Sequence, residues 1–149
     1  MKKQPTLRER ALRLLARREH SRAELVRKLA AHLRPEDDLE SLLEDLLRRK
    51  LLSDERYAES RAHSLSRKYG AARIAHELRA KGLSREMAAA ATGTARASEL
   101  ERAREVWRRK FRSLPKTRED RARQIRFLQS RGFSFDAVRQ ILGERLDDN

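Results

Sequence analysis

The residues in this chain that are best suited to chemistry are arginines spaced one helical turn apart. Arg104, Arg108 and Arg112 recur at every fourth position, a spacing that places three guanidinium groups on one face of a helix. A guanidinium group is a planar fork of donors that matches the oxygens of a phosphate or a carboxylate, and a lysine ammonium group cannot make the same paired contact. The row therefore predicts recognition of an anionic partner and not bond-making chemistry.

Basic residues follow similar rows on other predicted helices. A second interpretation is that each arginine lies on a solvated helix face and pairs with an acid one turn away, as Glu101 could pair with Arg104. This explains single arginines better than the whole set, because the acids are too few to neutralise the surplus. The candidate residues for binding a protein partner or DNA are Arg61, Arg67, Lys68, Arg73, Arg104, Arg108, Arg112, Arg118, Arg121 and Arg126.

The positive charge is spread along the chain. The 149 residues carry a formal net charge of +14, with 29 Arg and 8 Lys against 23 acids. Residues 1–53 contribute about +5, residues 54–97 about +4 and residues 98–149 about +5. A basic tail would load one end, whereas an even distribution suits single- or double-stranded DNA bound through its backbone, or an acidic groove on a protein.

Residues for catalysis are not arranged as any active site requires. The chain has no Cys, and its five Gly form no phosphate-binding loop. Its four His lack a second His at metal-ligand spacing on a shared helix face. The acidic run 36–40 could suggest a metal site, but acids in the first turn of a helix explain it more simply. We expect no catalytic residue, no metal and no cofactor.

Four aromatic residues lie among basic ones, as in proteins that stack single-stranded bases. Trp107 and Phe111 fall on the apolar stripe of a predicted helix, so we expect both in the core. Tyr57 is the third, and Tyr69, next to Lys68 at a helix end, is the one for which base stacking stays open.

The helices that must position these residues belong to a sequence repeat. The phrase at 73–84 returns at 123–134 with Arg, Leu, a basic residue before Gly, an apolar residue after it, and Ser in matching places. A fainter copy lies upstream, where Leu25 and Leu29 match Ile74 and Leu78 at an offset of 49. Self-similarity at a period of this size indicates stacked helical units with an extended binding surface.

Start and stop signals divide the chain into about nine helices. Capping-box spacing joins Thr6 to Glu9, Ser21 to Glu24, Ser98 to Glu101 and Thr117 to Asp120. Pro35 is expected in the first turn of a helix, Gly82 and Gly132 end helices, and the run 92–97 is the best linker candidate. The predicted helices span about 7–18, 22–33, 36–50, 54–68, 71–81, 85–92, 99–113, 118–131 and 135–146.

These helices group in threes. The sequence predicts an all-α fold, an elongated array of three tandem three-helix repeats at residues 1–53, 54–97 and 98–149. The core is thin and mostly Leu and Ala, which favours a monomer. Neither a signal peptide nor a membrane-spanning stretch is evident, so we expect a cytoplasmic protein with no membrane partner.

Three phrases in order resemble one family. The run 51–58 reads Leu-Leu-Ser-Asp-Glu-Arg-Tyr-Ala, and the run 67–83 carries Arg-Lys-Tyr-Gly, Arg-Ile, Glu-Leu and Lys-Gly-Leu. The run 127–142 begins Phe-Leu, continues with Arg-Gly-Phe-Ser and ends in a short apolar helix. From about Leu7 to Leu142 the chain is similar to the RecX regulatory proteins of bacteria.

The resemblance implies a function. RecX proteins are modular arrays of three-helix units that bind the RecA recombinase and its nucleoprotein filament. They lie along the filament groove and hinder ATP hydrolysis, filament growth and strand exchange. The alternative is a sequence-independent basic DNA-binding protein that acts without RecA, with affinity that falls steeply as salt rises.

Overall fold

In the computed structural model, which describes residues 3–143, the described chain is entirely helical. It contains ten α-helices and one 3-10 turn at Ala30–His32, with no strand in that range. Residue 146, the predicted end of the last helix, lies outside the described residues. So do residues 1 and 149, where the first predicted repeat begins and the third ends. The helices are α1 Leu7–Arg17, α2 Arg22–Leu29, α3 Leu39–Arg48, α4 Asp54–Leu65, α5 Ala71–Ala80, α6 Arg85–Ala91, α7 Gly93–Ala97, α8 Glu99–Lys110, α9 Arg118–Ser130 and α10 Phe135–Leu142.

Three separate hydrophobic clusters divide the helices into three repeats. Leu25 and Leu43 are fully buried between α1, α2 and α3, and Ile74 is fully buried among α4, α5 and α6. Leu128 and Val138 lie at the centre of the cluster formed by α8, α9 and α10. The prediction of an all-α chain built from three three-helix repeats is confirmed.

Side-chain caps begin most of the helices. Thr6 and Glu9 form the complete capping box at α1, where the hydroxyl accepts from the Glu9 amide at 3.1 Å. Ser98 does not cap α8, against the prediction. Its hydroxyl instead donates to the Thr94 carbonyl at 3.2 Å and accepts from the Arg102 guanidinium at 3.0 Å, because α7 ends directly before it.

The start of α3 differs from the sequence-based expectation. The helix begins at Leu39, and Asp38 is its N-cap, with the carboxylate accepting from the Ser41 amide at 3.1 Å. Pro35 therefore lies in the preceding turn and not in the first helical turn. The acids of the run 36–40 flank this N-terminus, where the helix dipole stabilises negative charge.

The predicted linker at 92–97 is helical. Thr92 is fully buried, and its hydroxyl donates to the carbonyls of Ala88 and Ala89 at 3.0 Å. The short helix α7 follows at Gly93–Ala97 and buries Ala95 in the core of the second repeat. Packing of α7 against α5, α6 and α8 accompanies the helical order of a segment that has no apolar stripe of its own.

Helix α8 is shorter than predicted. It ends at Lys110, and Phe111 has an extended backbone with φ −122° and ψ 138°. Phe111 is buried and packs edge-on against Phe127 at 5.3 Å between ring centres, which confirms its placement in the core. Leu114 would continue the same stripe if the helix went on, but it is 53% exposed because the helix has ended before it.

Two junctions of the same design connect the repeats. Between the first and second, the Ser21 hydroxyl donates to the Lys81 carbonyl at 3.0 Å. Between the second and third, the Gly70 amide donates to the Arg131 carbonyl at 2.8 Å. In each case the start of the second helix of one repeat meets the end of the second helix of the next.

The repeated Gly of the sequence phrase lies at these junctions. A β-carbon on Gly82 would lie 2.4 Å from the Ala23 Cβ, and one on Gly132 would lie 2.3 Å from the Arg73 Cβ. Both Gly also have positive φ, at 92° and 86°. Each Gly therefore ends a helix and allows the preceding repeat to approach its backbone.

The stacked repeats form an extended molecule and not a compact one. Its accessible surface is 10551 Å², whereas a compact monomer of 17.5 kDa would expose about 7,900 Å². Small separate cores and a large surface agree with an extended array. Over residues 3–143, no helix combines the length and the apolar character that crossing a bilayer requires.

Candidate functional site

A basic groove lies between the second and third repeats. Three chain segments form it: the turn after α4, the last two turns of α8 and the end of α9. Its volume is about 310 Å³. We call this site the basic groove, and its lining residues are Arg67, Lys68, Val106, Arg109, Lys110, Phe127 and Arg131.

The cations of the groove lie where three helices end. Arg67 and Lys68 follow the C-terminus of α4, Lys110 is the last residue of α8, and Arg131 is the C-cap of α9. The partial negative charge of a helix C-terminus stabilises a nearby cation. Local helix electrostatics thus explain why cations are tolerated here, and the convergence of three such ends concentrates them in one place.

Most of this charge is not neutralised within the protein. Across residues 3–143, Arg67, Lys68 and Lys110 have no ion-pair partner. Arg109 has a long contact with Glu105, at 3.6 Å between Nη2 and Oε1, and both side chains are largely exposed. An exposed pair of this kind adds little stability and can be exchanged for a ligand.

An aromatic ring forms the apolar part of the groove. The Lys110 Nζ lies 5.7 Å from the centre of the Phe127 ring, and the Arg131 Cζ lies 5.2 Å from the same centre. The Phe127 ring also packs against the Phe111 ring at right angles. Cations next to a fixed aromatic ring suit a strand whose phosphates need charge and whose bases or sugars need an apolar contact.

Tyr69 lies beside the groove with one ring face occupied. The Arg73 guanidinium lies 4.3 Å from its ring centre, and that of Arg131 lies 5.6 Å away. Base stacking on Tyr69, which the sequence left open, would require Arg73 to move from the ring face that it covers.

Two of the candidate arginines hold the fold together. Arg73 donates to the Ser130 carbonyl at 2.8 Å across the junction of the second and third repeats. Arg121 donates to the carbonyls of Leu142 and Gly143, at 3.2 and 2.8 Å, and so caps the C-terminus of α10. Their guanidinium groups already have acceptors within the protein.

The other candidates lie on separate surfaces. Arg104 and Arg108 are exposed on the side of α8 that faces away from Val106 and Arg109, because each residue advances the helix by 100°. Arg112 lies beyond the helix end, so the predicted row contains only two helical members. Arg61 lines a different cleft, at the junction of the first and second repeats, while Arg118 and Arg126 lie on α9.

A half-buried arginine that the sequence did not single out positions the wall of the groove. Arg102 donates to the Ser66 carbonyl at 2.7 Å and to the carbonyls of Tyr69 and Ala95. Burial lowers the pKa of the Arg102 guanidinium, and the charge of Glu99 opposes that effect. One side chain thereby ties the end of α4 and the helix α7 to α8.

Glu99 connects the start of α8 to the starts of two other helices. Its two carboxylate oxygens accept from the Ala71 amide at 2.8 Å and from the Ser134 amide at 3.3 Å. These amides lie at the starts of α5 and α10, where a carboxylate is favoured by the helix dipole. Among the residues described, no group of three His, Cys, Asp or Glu could hold a metal ion.

Sequence reasoning identified the groove only in part. Arg67 and Lys68 were among the candidates, whereas Arg109, Lys110, Phe127 and Arg131 were not. The available signal was positional, since Arg109 and Lys110 are adjacent at a helix end and Arg131 precedes the repeated Gly.

Family models match each repeat in turn. The model of the first three-helix domain of RecX matches residues 8–46, that of the second matches residues 53–91, and that of the third matches residues 97–142. The matches are in order along the chain and together cover most of it.

Full-length relatives and solved structures agree. The chain is 49% identical over 146 residues to the regulatory protein RecX of Leptothrix cholodnii, covering 98% of this chain and 92% of the relative. It is 46% identical over 135 residues to that of Herbaspirillum seropedicae, with coverage of 91% and 88%. A crystal structure of RecX from Lactobacillus salivarius has the same fold, with a TM-score of 0.73 at 23% identity and 93% of both chains covered. A crystal structure of a regulatory protein RecX gives a TM-score of 0.78 at 24% identity, covering 93% of this chain and 72% of that one.

Proposed function

The chain belongs to the RecX family of regulatory proteins, and from this premise we propose that it binds the RecA recombinase and its nucleoprotein filament and restrains them. The observation that carries the proposal is the ordered match of all three repeats, combined with a basic groove that two of those repeats build together. A regulator of this kind acts by binding in the cytoplasm and needs no active site.

The groove suggests how binding would be divided between protein and DNA. Its unpaired cations suit the phosphates of the filament's DNA, and each phosphate contact releases counterions and adds to the salt dependence. The exposed pair Arg104 and Arg108 faces elsewhere and is free to meet acidic side chains of RecA. An array held along the filament would hinder its growth, its ATP hydrolysis and strand exchange.

A second function is favoured by the same groove. Unpaired cations around a fixed Phe127 are also what a sequence-independent DNA-binding protein requires, and such a protein would act without RecA. The two functions differ in stoichiometry. Competition for naked DNA needs enough protein to coat it, whereas a filament regulator acts at a small fraction of that amount.

The deciding experiment is DNA-dependent ATP hydrolysis by RecA with this protein added far below stoichiometry. The proposed function predicts inhibition at ratios too small to coat the DNA. Inhibition that begins only when the DNA is saturated would support the second function and would contradict the first. Preformed filaments and naked DNA, compared at equal nucleotide concentration, provide the matched control.

A further inference from the structure

A second cleft lies at the junction of the first and second repeats, on the other side of the second repeat from the basic groove. Its volume is about 290 Å³. One face of α4 supplies Tyr57, Ser60, Arg61 and Ser64, at the spacing that brings four side chains together along a helix. Lys81, the C-cap of α5, lines the cleft with them. We call this site the hydroxyl cleft.

The carboxylates of the hydroxyl cleft already have partners. Glu24 accepts two hydrogen bonds from Arg18, at 2.9 and 2.8 Å, and Glu19 accepts from the Arg56 Nε at 2.9 Å. The Arg18 bond, together with its charge, holds the pKa of Glu24 below its usual range. The acids of the cleft are therefore neutralised and do not exclude an anion.

The donors of the hydroxyl cleft, by contrast, have no acceptor. Within residues 3–143, neither Arg61 nor Lys81 has an ion-pair partner for its side chain, and the hydroxyls of Ser60 and Ser64 make no hydrogen bond. These groups carry only donors or rotating hydroxyls, so an oxygen-rich ligand would satisfy all of them at once.

Tyr57 adds a fifth donor. The residue is only 3% exposed, yet its hydroxyl has no hydrogen-bond partner among the described residues. Among the described residues, every fully buried side-chain polar atom has a hydrogen-bond partner. Because the Tyr57 hydroxyl oxygen has none, it cannot be fully buried, and it reaches solvent in the cleft that Tyr57 lines. Burial raises the pKa of this hydroxyl, which keeps it protonated and able to donate at neutral pH.

We propose that the hydroxyl cleft binds a phosphate group. Hydroxyl, guanidinium and ammonium donors that converge without acceptors match the several acceptor oxygens of phosphate, and bonds to a charged acceptor are the strong ones. The lining is polar and the volume lies at the lower limit of pockets for drug-sized ligands, which are mostly apolar. The cleft therefore suits a small anion or a single group of a larger molecule.

The phosphate has two sources with the same chemistry: the free anion, or a phosphodiester of nucleic acid that crosses the junction of the first two repeats. The site itself does not depend on RecA, so it can stand or fall independently of the proposed regulatory function. The experiment below uses neither RecA nor ATP for this reason.

Binding of inorganic phosphate by isothermal titration calorimetry, at constant ionic strength, tests the site on the full chain. The double variant Arg61→Gln/Lys81→Gln should bind phosphate at least about tenfold more weakly than the wild type, a loss that corresponds to about 1.4 kcal/mol. The matched control is Arg13→Gln/Arg17→Gln, which removes the same charge from two exposed positions on α1 outside the hydroxyl cleft and should leave phosphate affinity unchanged. Equal losses in both variants would mean diffuse attraction to a basic surface and would overturn the proposal.

A second variant keeps the charge and removes only hydroxyls. Ser60→Ala/Ser64→Ala should weaken phosphate binding severalfold, while the far-ultraviolet circular dichroism stays that of the wild type. Unchanged affinity in this variant would contradict the geometry of the site. Tighter binding of a short poly-glutamate peptide than of phosphate would also overturn the proposal, in favour of a carboxylate partner.

A single-stranded thymidine dodecamer distinguishes the two sources. Loss of dodecamer affinity in Arg61→Gln/Lys81→Gln, together with the loss of phosphate binding, places a nucleic-acid phosphodiester in the hydroxyl cleft. Unchanged dodecamer affinity with lost phosphate binding places a free phosphate there. Either result supports a phosphate site, and each is independent of any effect on RecA.

Discussion

His20 shows at the scale of one residue how packing overrides a side chain's usual charge. It is 1% exposed, with Nδ1 3.0 Å from the Arg18 carbonyl oxygen and Nε2 3.0 Å from the Lys28 Nζ. A neutral ring satisfies both contacts, donating from Nδ1 and accepting at Nε2. Burial lowers the pKa of His20; the charges of Arg18 and Lys28 add to this, while the Arg18 carbonyl bond and Glu24 oppose it.

The pH dependence of stability follows from this arrangement. The folded-state pKa of His20 is below the unfolded value of about 6.5. As the pH falls below about 6.5, the unfolded chain therefore binds more protons at this residue than the folded chain does. Stability is thus present above about pH 6.5 and is lost as the pH falls through the interval down to the folded pKa. The thermal unfolding midpoint of wild type should be lower at pH 5.5 than at pH 7.5, and His20→Gln should reduce that difference.

The control for this prediction is His76→Gln, since His76 is exposed. It should keep the wild-type difference between the two pH values. The comparison stays above the range in which carboxylates titrate, so Asp and Glu residues do not confuse it. An unaltered difference in His20→Gln would show that the imidazole is not the group responsible.

Helix α8 shows at the scale of one element that charge and position can be separated. Arg109 and Lys110 face the basic groove, whereas Arg104 and Arg108 project from the other side of the same helix. The two pairs have the same charge and are all exposed. Of these four residues, only Lys110 has a recorded contact with the Phe127 ring, at 5.7 Å between Nζ and the ring centre.

We expect the two pairs to differ in DNA binding. Arg109→Gln/Lys110→Gln should weaken binding of a single-stranded oligonucleotide by about tenfold or more and lower the slope of log affinity against log salt by about 1.4, two contacts at the single-strand value. Arg104→Gln/Arg108→Gln should change both quantities much less. Fluorescence anisotropy over a range of salt concentrations measures them, and glutamine avoids placing an acid at the C-terminus of α8, where the dipole disfavours it.

Equal losses in the two α8 variants would contradict this prediction. That outcome would show that DNA responds to the total charge of the helix and not to the groove. The RecA filament provides a second readout for the same proteins: if Arg104 and Arg108 meet acidic side chains of RecA, their variant should lose filament binding while it retains affinity for naked DNA.

At the scale of the whole molecule, the two repeat junctions decide the relative positions of the binding surfaces. Gly132 has φ 86°, and an added β-carbon would lie 2.3 Å from the Arg73 Cβ and 2.7 Å from its backbone nitrogen. Gly132→Ala should lower the free energy of unfolding by about 2–5 kcal/mol, the sum of left-handed backbone strain and overpacking. Urea denaturation followed by circular dichroism measures the change.

Gly93→Ala is the matched control, because a β-carbon on Gly93 would meet no atom within 4 Å. Gly93 begins the short helix α7 and does not have positive φ, so alanine should raise the free energy of unfolding by about 0.4–1 kcal/mol. A Gly132→Ala protein as stable as the wild type would mean that the junction yields easily and does not fix the arrangement of the repeats.

Much of this molecule is fixed by short-range rules that a sequence displays. Thr6 with Glu9 begins α1, Gly82 and Gly132 end the helices before them, and apolar residues at three-four spacing define the three cores, because each of these effects acts within one or two helical turns. The same local rules failed where a neighbouring element intervened. Thr92 is buried in a helical segment predicted as a linker, and Ser98 turns back to α7 in place of capping α8.

The basic groove and the hydroxyl cleft depend on how the helices pack in three dimensions. Sequence alone determined the repeat, the helical class and the surplus of arginine, since these are properties of composition and period. Only packing brought the ends of α4, α8 and α9 to one groove and committed Arg73 and Arg121 to carbonyl oxygens. It also left Arg61 and Lys81 without an ion-pair partner among residues 3–143. Whether an arginine binds a ligand or the protein itself depends on which acceptors lie within about 3 Å, and segments distant in the chain supply those acceptors only after it folds.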